Sequence, residues 1–247
     1  MKKNTLQFLY KVLFYLFLSL ILFLSFSNIH YAWNWSILWD YKEKFLKGWL
    51  STLEISIVSL FLSLTLAWIL LIGQRSFQIL KVFCQSWINL IRGTPLLVQI
   101  LLFFYVIANA AGFNNRFWLA VLILSNFSAA YIAEILRAAL DGIPQSQWDA
   151  AKALGLNRRQ SYLYVILPQL FKAALPALGG QFASIVKDSS LLSVIAVSEF
   201  TLSAQEVNSL TYSTLEAYIP LALGYLLITA PITWTTKKIE TRLQYEA

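Results

Sequence analysis

Residues 146–168 read SQWDAAKALGLNRRQSYLYVILP, a polar interruption between long apolar stretches of the chain. Ser146 is a residue type that favours helix N-termini, and the carboxylate of Asp149, three residues later, can reach back to a free backbone N–H. Gly155 is typical of the position that follows a helix. The pattern predicts a short helix that runs from Trp148 to Leu154.

A second short helix is predicted directly after the first. Asn157 is another N-terminal cap, Gln160 follows three residues later, and Pro168 is expected to end the helix. Helices of this length are marginal in water on their own, and Trp148 and Leu154 would leave apolar surface uncovered. The hairpin therefore either lies on the membrane surface or docks into a partner.

The rest of the chain is too apolar for a soluble protein. Of its 247 residues, 58% are hydrophobic and 13% are charged, whereas soluble domains carry about 25% charged residues. A helix needs ~20 mostly apolar residues to cross a bilayer. The stretches that reach this length are residues 8–27, 50–72, 92–112, 117–139, 174–198 and 217–236. We predict an all-α polytopic membrane protein with six transmembrane helices, the first retained as an anchor because it is longer than the apolar part of a signal peptide.

Basic residues are distributed unequally between the two sides that this span order defines. Of the 19 Lys and Arg residues, fourteen lie on one side, four lie on the other, and Lys187 lies inside a span. Because cytoplasmic segments carry the excess of Lys and Arg, both termini are expected in the cytoplasm. The outer four are Lys42, Lys44, Lys47 and Arg116. The net charge of +7 thus reflects topology and does not indicate nucleic-acid binding.

Several chemistries lack the residues that they need. The sequence has one Cys, Cys84, and one His, His30, so metal clusters and the usual catalytic sets cannot be assembled. His30 lies in an aromatic stretch typical of the membrane interface. No GxxxxGK[S/T] phosphate loop occurs, so ATP and magnesium would have to be bound by another chain. We expect no catalytic residue, metal site or cofactor.

The hairpin sequence resembles the EAA loop of permease subunits of ATP-binding cassette (ABC) importers. The loop's pattern is Glu-Ala-Ala, three residues, Gly, nine residues, Ile, one residue, Leu-Pro, and it is matched here with Asp149 in place of Glu and Val165 in place of Ile. In that family the loop is the coupling helix, which sits in a groove of the ATPase subunit. The resemblance assigns this cytoplasmic coupling role to Asp149, Ala150, Ala151 and Gly155, and the apolar side chains of Trp148 and Leu154 would add to the contact. Small side chains at Ala150 and Ala151 would let the partner approach closely.

Further stretches resemble the polar amino-acid branch of these permeases. They are Arg92-Gly93-Thr94-Pro95, Ala130-Tyr131-Ile132-Ala133-Glu134 with Arg137, Lys187-Asp188-Ser189-Ser190-Leu191, Ala204-Gln205 and Glu216-Ala217-Tyr218. The resemblance implies a type 1 permease domain with a five-helix core over residues 48–238. An anchor helix and outer loop over 1–47 would precede it, and a cytoplasmic tail over 239–247 would follow it.

Two charged residues fall near the middle of the predicted fifth span. An unpaired charge there costs about 2.5–3.5 kcal/mol, so Lys187 and Asp188 either form ion pairs or line the solute pathway, where the carboxylate and ammonium groups of an amino acid would be natural partners. Related permeases often have Glu at the position of Gln181, so its neutral amide favours an uncharged polar substrate. Phe127 replaces a residue that is polar in some relatives, with Asn126 beside it, and both are candidates for the same pathway.

Other acidic residues have simpler interpretations. Glu134 and Arg137 are three residues apart near the inner end of the fourth span, a spacing that predicts a local ion pair. Residues 198–218 hold Glu199, Glu206 and Glu216 without Lys or Arg. This segment is expected on the outer side, where it would form part of the surface that receives a solute-binding protein.

The resemblance implies a permease subunit that carries polar amino acids across the cell inner (cytoplasmic) membrane and performs no catalysis itself. Its expected partners are ABC ATPase subunits, a second permease subunit that is identical or homologous, and a periplasmic or extracellular solute-binding protein. The alternative is an ion-coupled secondary transporter or channel, although the chain shows no convincing internal repeat of the kind that many such folds have.

Overall fold

The computed structural model of the chain describes residues 2–27 and 31–245. Within these ranges the regular structure is helical, without strands. The chain divides after Ser36 into two compact units. The first unit contains helix α1, Lys2–Ser27, whose described large apolar side chains between Leu9 and Leu24 are exposed. His30, predicted at the membrane interface, lies outside the described residues.

The second unit is a bundle of helices, which confirms the all-α class. Two π-helical turns and one 3-10 segment lie between its α-helices: Phe103–Ala108 continues α5, Ser161–Ile166 joins α8 to α9, and Ser189–Ile195 follows α9. The α-helices are α2 Ile37–Asp40, α3 Lys42–Gln74, α4 Gln78–Gly93, α5 Leu96–Leu102, α6 Arg116–Asp141, α7 Gln145–Ala153, α8 Arg158–Gln160, α9 Leu167–Asp188, α10 Phe200–Thr211 and α11 Thr214–Tyr245.

Among the described residues, four helical stretches are long and apolar enough to cross a membrane. They are Lys42–Gln74, Arg116–Asp141, Arg158–Ile195 and Thr214–Arg242. A fifth candidate is the pair Gln78–Gly93 and Leu96–Ala108, whose two helices meet at a bend of 108°. The structure therefore supports a multi-pass membrane protein with four or five spans in this part of the chain.

The third span differs from the straight helix predicted over 92–112. Helix α4 occupies most of the inner loop that was expected over 73–91, and the chain bends sharply at Thr94 and Pro95. Both residues have extended backbone, with ψ of 143° and 138°, because a proline lacks an N–H and disfavours helical backbone in the residue before it. The prediction of one straight helix over 92–112 is therefore wrong, because Pro95 bends the chain within this range.

Gln99 stabilises this bend from inside the bundle, where its side chain is buried. Its Nε2 donates to the carbonyl oxygens of Ile91, at 2.7 Å, and of Thr94, at 3.2 Å. The last carbonyl groups of a helix have no partner within the helix. Gln99 therefore satisfies acceptors that the end of α4 would otherwise leave unpaired.

The helix that contains the fifth span begins at Arg158 rather than at residue 174, and it runs through Pro168 to Ile195. The prediction that Pro168 ends a separate helix is therefore wrong. Pro168 lies in the first turn of α9, directly after the π-helical turn. Local π-helical adjustment is one way in which membrane helices accommodate proline.

Small polar side chains lie where α3 contacts its neighbours. On α3, the residues Thr52, Ser56, Ser59 and Ser63 are buried, and the hydroxyl of Ser125 in α6 donates to the carbonyl oxygen of Ser59 at 3.3 Å. Small residues of this kind let helix backbones approach closely in membranes.

Helices α9 and α11 approach each other at Gly179, where an added Cβ would collide with the side chain of Thr236. Next to it, a Cβ at Gly180 would meet no heavy atom within 4 Å. The α9 surface at Gly180 is therefore open in the single chain.

Candidate coupling hairpin and solute pathway

Helix α7 ends in the turn that the sequence predicts. Gly155 has a left-handed φ of +74°. Its N–H donates to the carbonyl oxygen of Lys152 at 2.9 Å, and the N–H of Leu156 donates to that of Ala151 at 3.1 Å. These two bonds form a Schellman motif, in which the left-handed position is usually glycine because a Cβ is disfavoured there.

The next helix begins with the predicted capping box. The Asn157 side chain accepts from the N–H of Gln160, and the Gln160 side chain accepts from the N–H of Asn157, both at 2.9 Å. The turn between α7 and α8 is thus fixed on both sides by local hydrogen bonds.

The start of α7 differs from the prediction. The helix begins at Gln145 after Pro144, and no side chain caps it, so Ser146 is not the N-cap. The carboxylate of Asp149 accepts from Nε2 of Gln145 at 3.2 Å instead of from a backbone N–H. Pro144 itself occupies the N-cap position, with φ −59° and ψ 143°, and its side chain has no polar atom that could cap the helix.

Helix α7 has one face against the bundle and one face open. The ring of Trp148 packs on that of Tyr162, with centroids 5.1 Å apart, and Ala151 is only 1% exposed. Asp149 and Ala150 are exposed. Leu154 is 78% exposed. Of the residues predicted for coupling, Trp148 and Ala151 therefore pack within their own chain, while Asp149, Ala150, Leu154 and Gly155 remain on the open surface.

A cluster of five charged side chains ties together the helix ends beside α7. Arg137 holds Glu134 through two hydrogen bonds of 3.0 and 2.6 Å, which confirms the predicted ion pair. Arg92 at the end of α4 lies 3.5 Å from Glu134. Asp141 at the end of α6 pairs with Arg137, at 2.7 Å, and with Arg75 after α3. The cluster thus connects α3, α4 and α6 immediately before the hairpin.

The ion pair between Arg75 and Asp141 was not predicted from the sequence. They are 66 residues apart, and neither belongs to a motif. Only their positions at helix ends, one basic and one acidic, give a weak signal. The role of Gln99 was not predicted for a similar reason. Only the bend brings its side chain to the carbonyl oxygens of Ile91 and Thr94 at the end of α4.

The opposite end of the bundle contains the segment that was predicted to face outward. Glu206 is exposed and pairs with Lys44 at 2.6 Å. Arg116 donates from Nη1 to the carbonyl oxygen of Ala196 at 2.8 Å. Glu199 and Glu216 are buried, so the expected acidic surface is reduced to Glu206.

Glu199 has a structural role instead. It caps α10 by accepting from the N–H groups of Thr201, at 2.8 Å, and Leu202, at 2.7 Å, and the hydroxyl of Tyr225 in α11 donates to it at 2.8 Å. Burial nevertheless raises the pKa of the Glu199 carboxyl above its ordinary value, because desolvation outweighs these hydrogen bonds. The residue fixes α10 against α11.

Polar residues of α9 lie on one side of the helix. At 3.6 residues per turn, Gln181, Ser184, Lys187 and Asp188 fall within about a third of a turn of one another. Lys187 is exposed and the other three are half-buried, whereas Ala183, Ile185 and Val186 on the other side are buried. We name these four polar residues the α9 polar face. Lys187 and Asp188 lie in the last turn of α9, which is closer to the C-terminal end of the helix than the middle position predicted.

The other two pathway candidates contact different neighbours. The Asn126 Oδ1 accepts from Nε1 of Trp87 in α4 at 3.1 Å. The ring of Phe127 packs on Tyr131, with centroids 4.9 Å apart. The structure thus groups Gln181, Lys187 and Asp188 on one helix face, while Asn126 and Phe127 contact side chains of α4 and α6.

The comparison with known proteins agrees with this architecture. Residues 63–245 match the family described as binding-protein-dependent transport system inner membrane component. The chain belongs to this family. Its members are permease subunits of ABC transporters and not enzymes, and the ATPase is a separate subunit. Membership therefore rules out the ion-coupled secondary transporter and the channel as classes for this protein.

Similar permeases match the chain over nearly their whole length. The probable glutamine ABC transporter permease protein GlnM of Bacillus subtilis (strain 168) is 32% identical over 212 residues, which cover 85% of this chain and 98% of the relative. The glutamine transport system permease protein GlnP of Escherichia coli (strain K12) is 35% identical over 218 residues, with the same coverage. A crystal structure of an amino acid ABC transporter with histidines superposes with a TM-score of 0.78 at 32% identity and covers 86% of this chain and 100% of that chain.

Proposed function

We propose that this permease forms the pathway by which an ABC importer carries an uncharged polar amino acid, glutamine in the first instance, across the inner (cytoplasmic) membrane. The observation that carries the substrate class is the α9 polar face. It combines the neutral amide of Gln181 with one cationic and one anionic side chain, and the relatives named for glutamine support the choice. An amino acid has both a carboxylate and an ammonium group, which Lys187 and Asp188 complement.

A second permease subunit, identical or homologous, completes the pathway. Polar and charged side chains within a span are costly against lipid, so the α9 polar face is expected to oppose protein or water. The small residue Gly180, with open space beside it, allows another helix or the solute to come close. The pathway would then lie between two α9 helices.

The exposed side of α7 docks into a groove of the ATPase subunit. Ala150 lets the helix backbone approach, Leu154 supplies apolar contact, and Gly155 forms the turn that holds the hairpin in shape. Closure of the ATPase pair around ATP would draw the two α7 helices together. Because the charge cluster ties α3, α4 and α6 at this end, these helices would move as one body and switch the pathway between inward-facing and outward-facing states.

The topology proposed from the charge distribution agrees with this mechanism. Both termini lie in the cytoplasm. Helix α1, within residues 1–47, crosses the membrane in addition to the five helices of the permease core. The permease domain covers 48–238, and 239–247 form a cytoplasmic tail. The segment around Glu206 and α10 faces outward, where a solute-binding protein delivers the substrate. This arrangement requires the hairpin and α10 to lie at opposite ends of the bundle. Helix α7 lies beside the charge cluster, and Glu206 pairs with Lys44 at the other end.

Cysteine chemistry tests the docking face and the topology together. The native Cys84 is buried and is replaced by serine to give a background without reactive thiols. We expect Ala150→Cys and Leu154→Cys to cross-link to the ATPase subunit, and Tyr212→Cys, 87% exposed at the other end of the bundle, to react with a membrane-impermeant maleimide in intact cells. Labelling of Leu154→Cys from outside would contradict the topology, and an ATPase cross-link from Tyr212→Cys would contradict the docking assignment.

A further inference from the structure

An apolar cavity of about 290 Å³ opens on the bundle surface near the hairpin. It lies between the C-terminal part of α3, the end of α6 and the first turns of the helix that becomes α9. Its walls are formed by the side chains of Trp68, Leu71, Leu140, Leu167 and Leu170. At one end it is bordered by Arg75, Ser76 and Tyr162. We name it the α3–α9 pocket.

The pocket is open to the side of the bundle. Ile72, which also lines it, is 62% exposed, and Phe171, which packs on Trp68 with ring centroids 5.9 Å apart, is 47% exposed. Most of the wall carries no hydrogen-bonding group, and a water molecule needs two to four polar partners. An apolar chain is therefore a better occupant than water.

Basic residues lie near the polar end of this pocket. Arg75 presents its guanidinium there, held by Asp141. Arg158 and Arg159 begin the helix that carries Tyr162, about one turn or ~5 Å further along the axis. Both are exposed, and neither forms an ion pair with any residue that the structure describes. Two uncompensated cations therefore lie close to the end of an apolar groove.

This combination matches one class of molecule. Basic pockets between transmembrane helices on the cytoplasmic side bind anionic lipid head groups, and the cytoplasmic leaflet supplies such lipids. We propose that the α3–α9 pocket binds an anionic phospholipid of the inner leaflet, with one acyl chain along Trp68 and Leu170 and its phosphate paired with Arg158 and Arg159. The side of the membrane rests on the proposed function, in which the hairpin is cytoplasmic.

Such a lipid would contact α3, α6 and the helix that follows the hairpin. The charge cluster connects α3, α4 and α6 but does not include the helix that follows the hairpin. The lipid would add an apolar contact between that helix and α3 and α6. The anionic lipid would thus stabilise the position of the hairpin relative to the bundle, and the ATPase activity of the assembled transporter would rise with the anionic fraction of the bilayer.

Lipid binding is measured on the complete transporter, the permease with its ATPase subunit, after transfer from nanodiscs that contain phosphatidylglycerol and phosphatidylcholine. Native mass spectrometry counts the phosphatidylglycerol molecules retained per permease. We expect the double variant Arg158→Gln/Arg159→Gln to bind phosphatidylglycerol about 30-fold more weakly, since each basic residue near an anionic surface contributes about a fivefold factor. Ile72→Trp, which fills the pocket from its exposed side, should also lose the lipid while the arginines remain.

The matched control is Lys237→Gln/Lys238→Gln, which removes the same charge from exposed positions of α11 and should retain the lipid. Equal retention by all three variants would overturn the proposal, and so would an equal loss in the lysine control. Displacement by inorganic phosphate would indicate a free-anion site and would also overturn it. A protein segment found in the pocket by cross-linking from Ile72→Cys would contradict the lipid as occupant. Because lipid counting needs no transport, a failure here is distinguishable from a failure of the proposed function.

Discussion

Substitution of Gly155 by valine tests how the hairpin transmits force. The residue has φ +74°, and no heavy atom lies within 4 Å of the position that a Cβ would occupy, so the penalty comes from the backbone alone. A left-handed backbone costs an L-residue about 1–2 kcal/mol, and a β-branched side chain is the least compatible with it. The turn between α7 and α8 must either carry this strain or open.

If the strain opens the turn and the open forms do not dock, the affinity for the ATPase falls by up to the same free energy. A cost of about 1–2 kcal/mol corresponds to a dissociation constant that rises by about 5-fold to 30-fold. The measurement is the binding of the ATPase subunit to the permease in nanodiscs, together with ATP-driven uptake in proteoliposomes. Gly155→Asn should bind within about twofold of the native chain, because asparagine tolerates this backbone conformation.

The chain offers a closely matched control before α6, whereas the hairpin follows α6. Gly112 has φ +63°, with no heavy atom near its Cβ position. Its N–H donates to the carbonyl oxygen of Asn109 at 3.1 Å, and that of Phe113 to Ala108 at 2.8 Å, which repeats the hydrogen-bond pattern at Gly155. Gly112→Val should therefore carry the same strain without weakening ATPase binding. Native affinity in Gly155→Val, or equal weakening in Gly112→Val, would refute the reasoning.

Three further predictions concern other positions. Ala150→Trp should prevent ATPase binding while leaving thermal stability within about 0.5 kcal/mol, whereas Ala151→Trp, at a buried site, should destabilise the folded protein by about 1–3 kcal/mol. Thermal melting of both variants in detergent checks this, and equal stability of the two would contradict it. Gln181→Glu should raise the uptake of arginine relative to glutamine, and an unchanged ratio in a competition assay would remove Gln181 from the pathway. Ala196→Gly should stabilise the protein by about 1 kcal/mol because Ala196 has φ +55°. The control Ser198→Gly, two residues later, should give no gain in stability. A lower melting temperature for Ala196→Gly would contradict the strain assigned to this position.

Features that depend on neighbouring residues were predictable from the sequence. Gly155 ends α7, and Asn157 with Gln160 starts α8, because both motifs are hydrogen-bonded within a few residues. Glu134 and Arg137 pair for the same reason. The family resemblance also located the hairpin within residues 146–168, since its spacing rests on these local turns.

The remaining features depend on contacts between distant segments. Pro168 was expected to break the helix, but a π-helical turn before it accommodates the ring, whereas Pro95 does produce a bend that Gln99 stabilises from the next helix. Ala150 and Ala151 are the same residue type, and the packing of the helix against the bundle, with Trp148 on Tyr162, buries Ala151 and leaves Ala150 exposed. Arg75 and Asp141 meet because two helix ends lie side by side, which no local pattern records.

Reconstituted transport tests the central claim most directly. The permease is placed in proteoliposomes with its ATPase subunit and its solute-binding protein, and the uptake of labelled glutamine is followed with and without ATP. We predict uptake that requires both ATP and the ATPase subunit. Glutamine uptake by the permease without the ATPase, driven only by an ion gradient, would contradict the account.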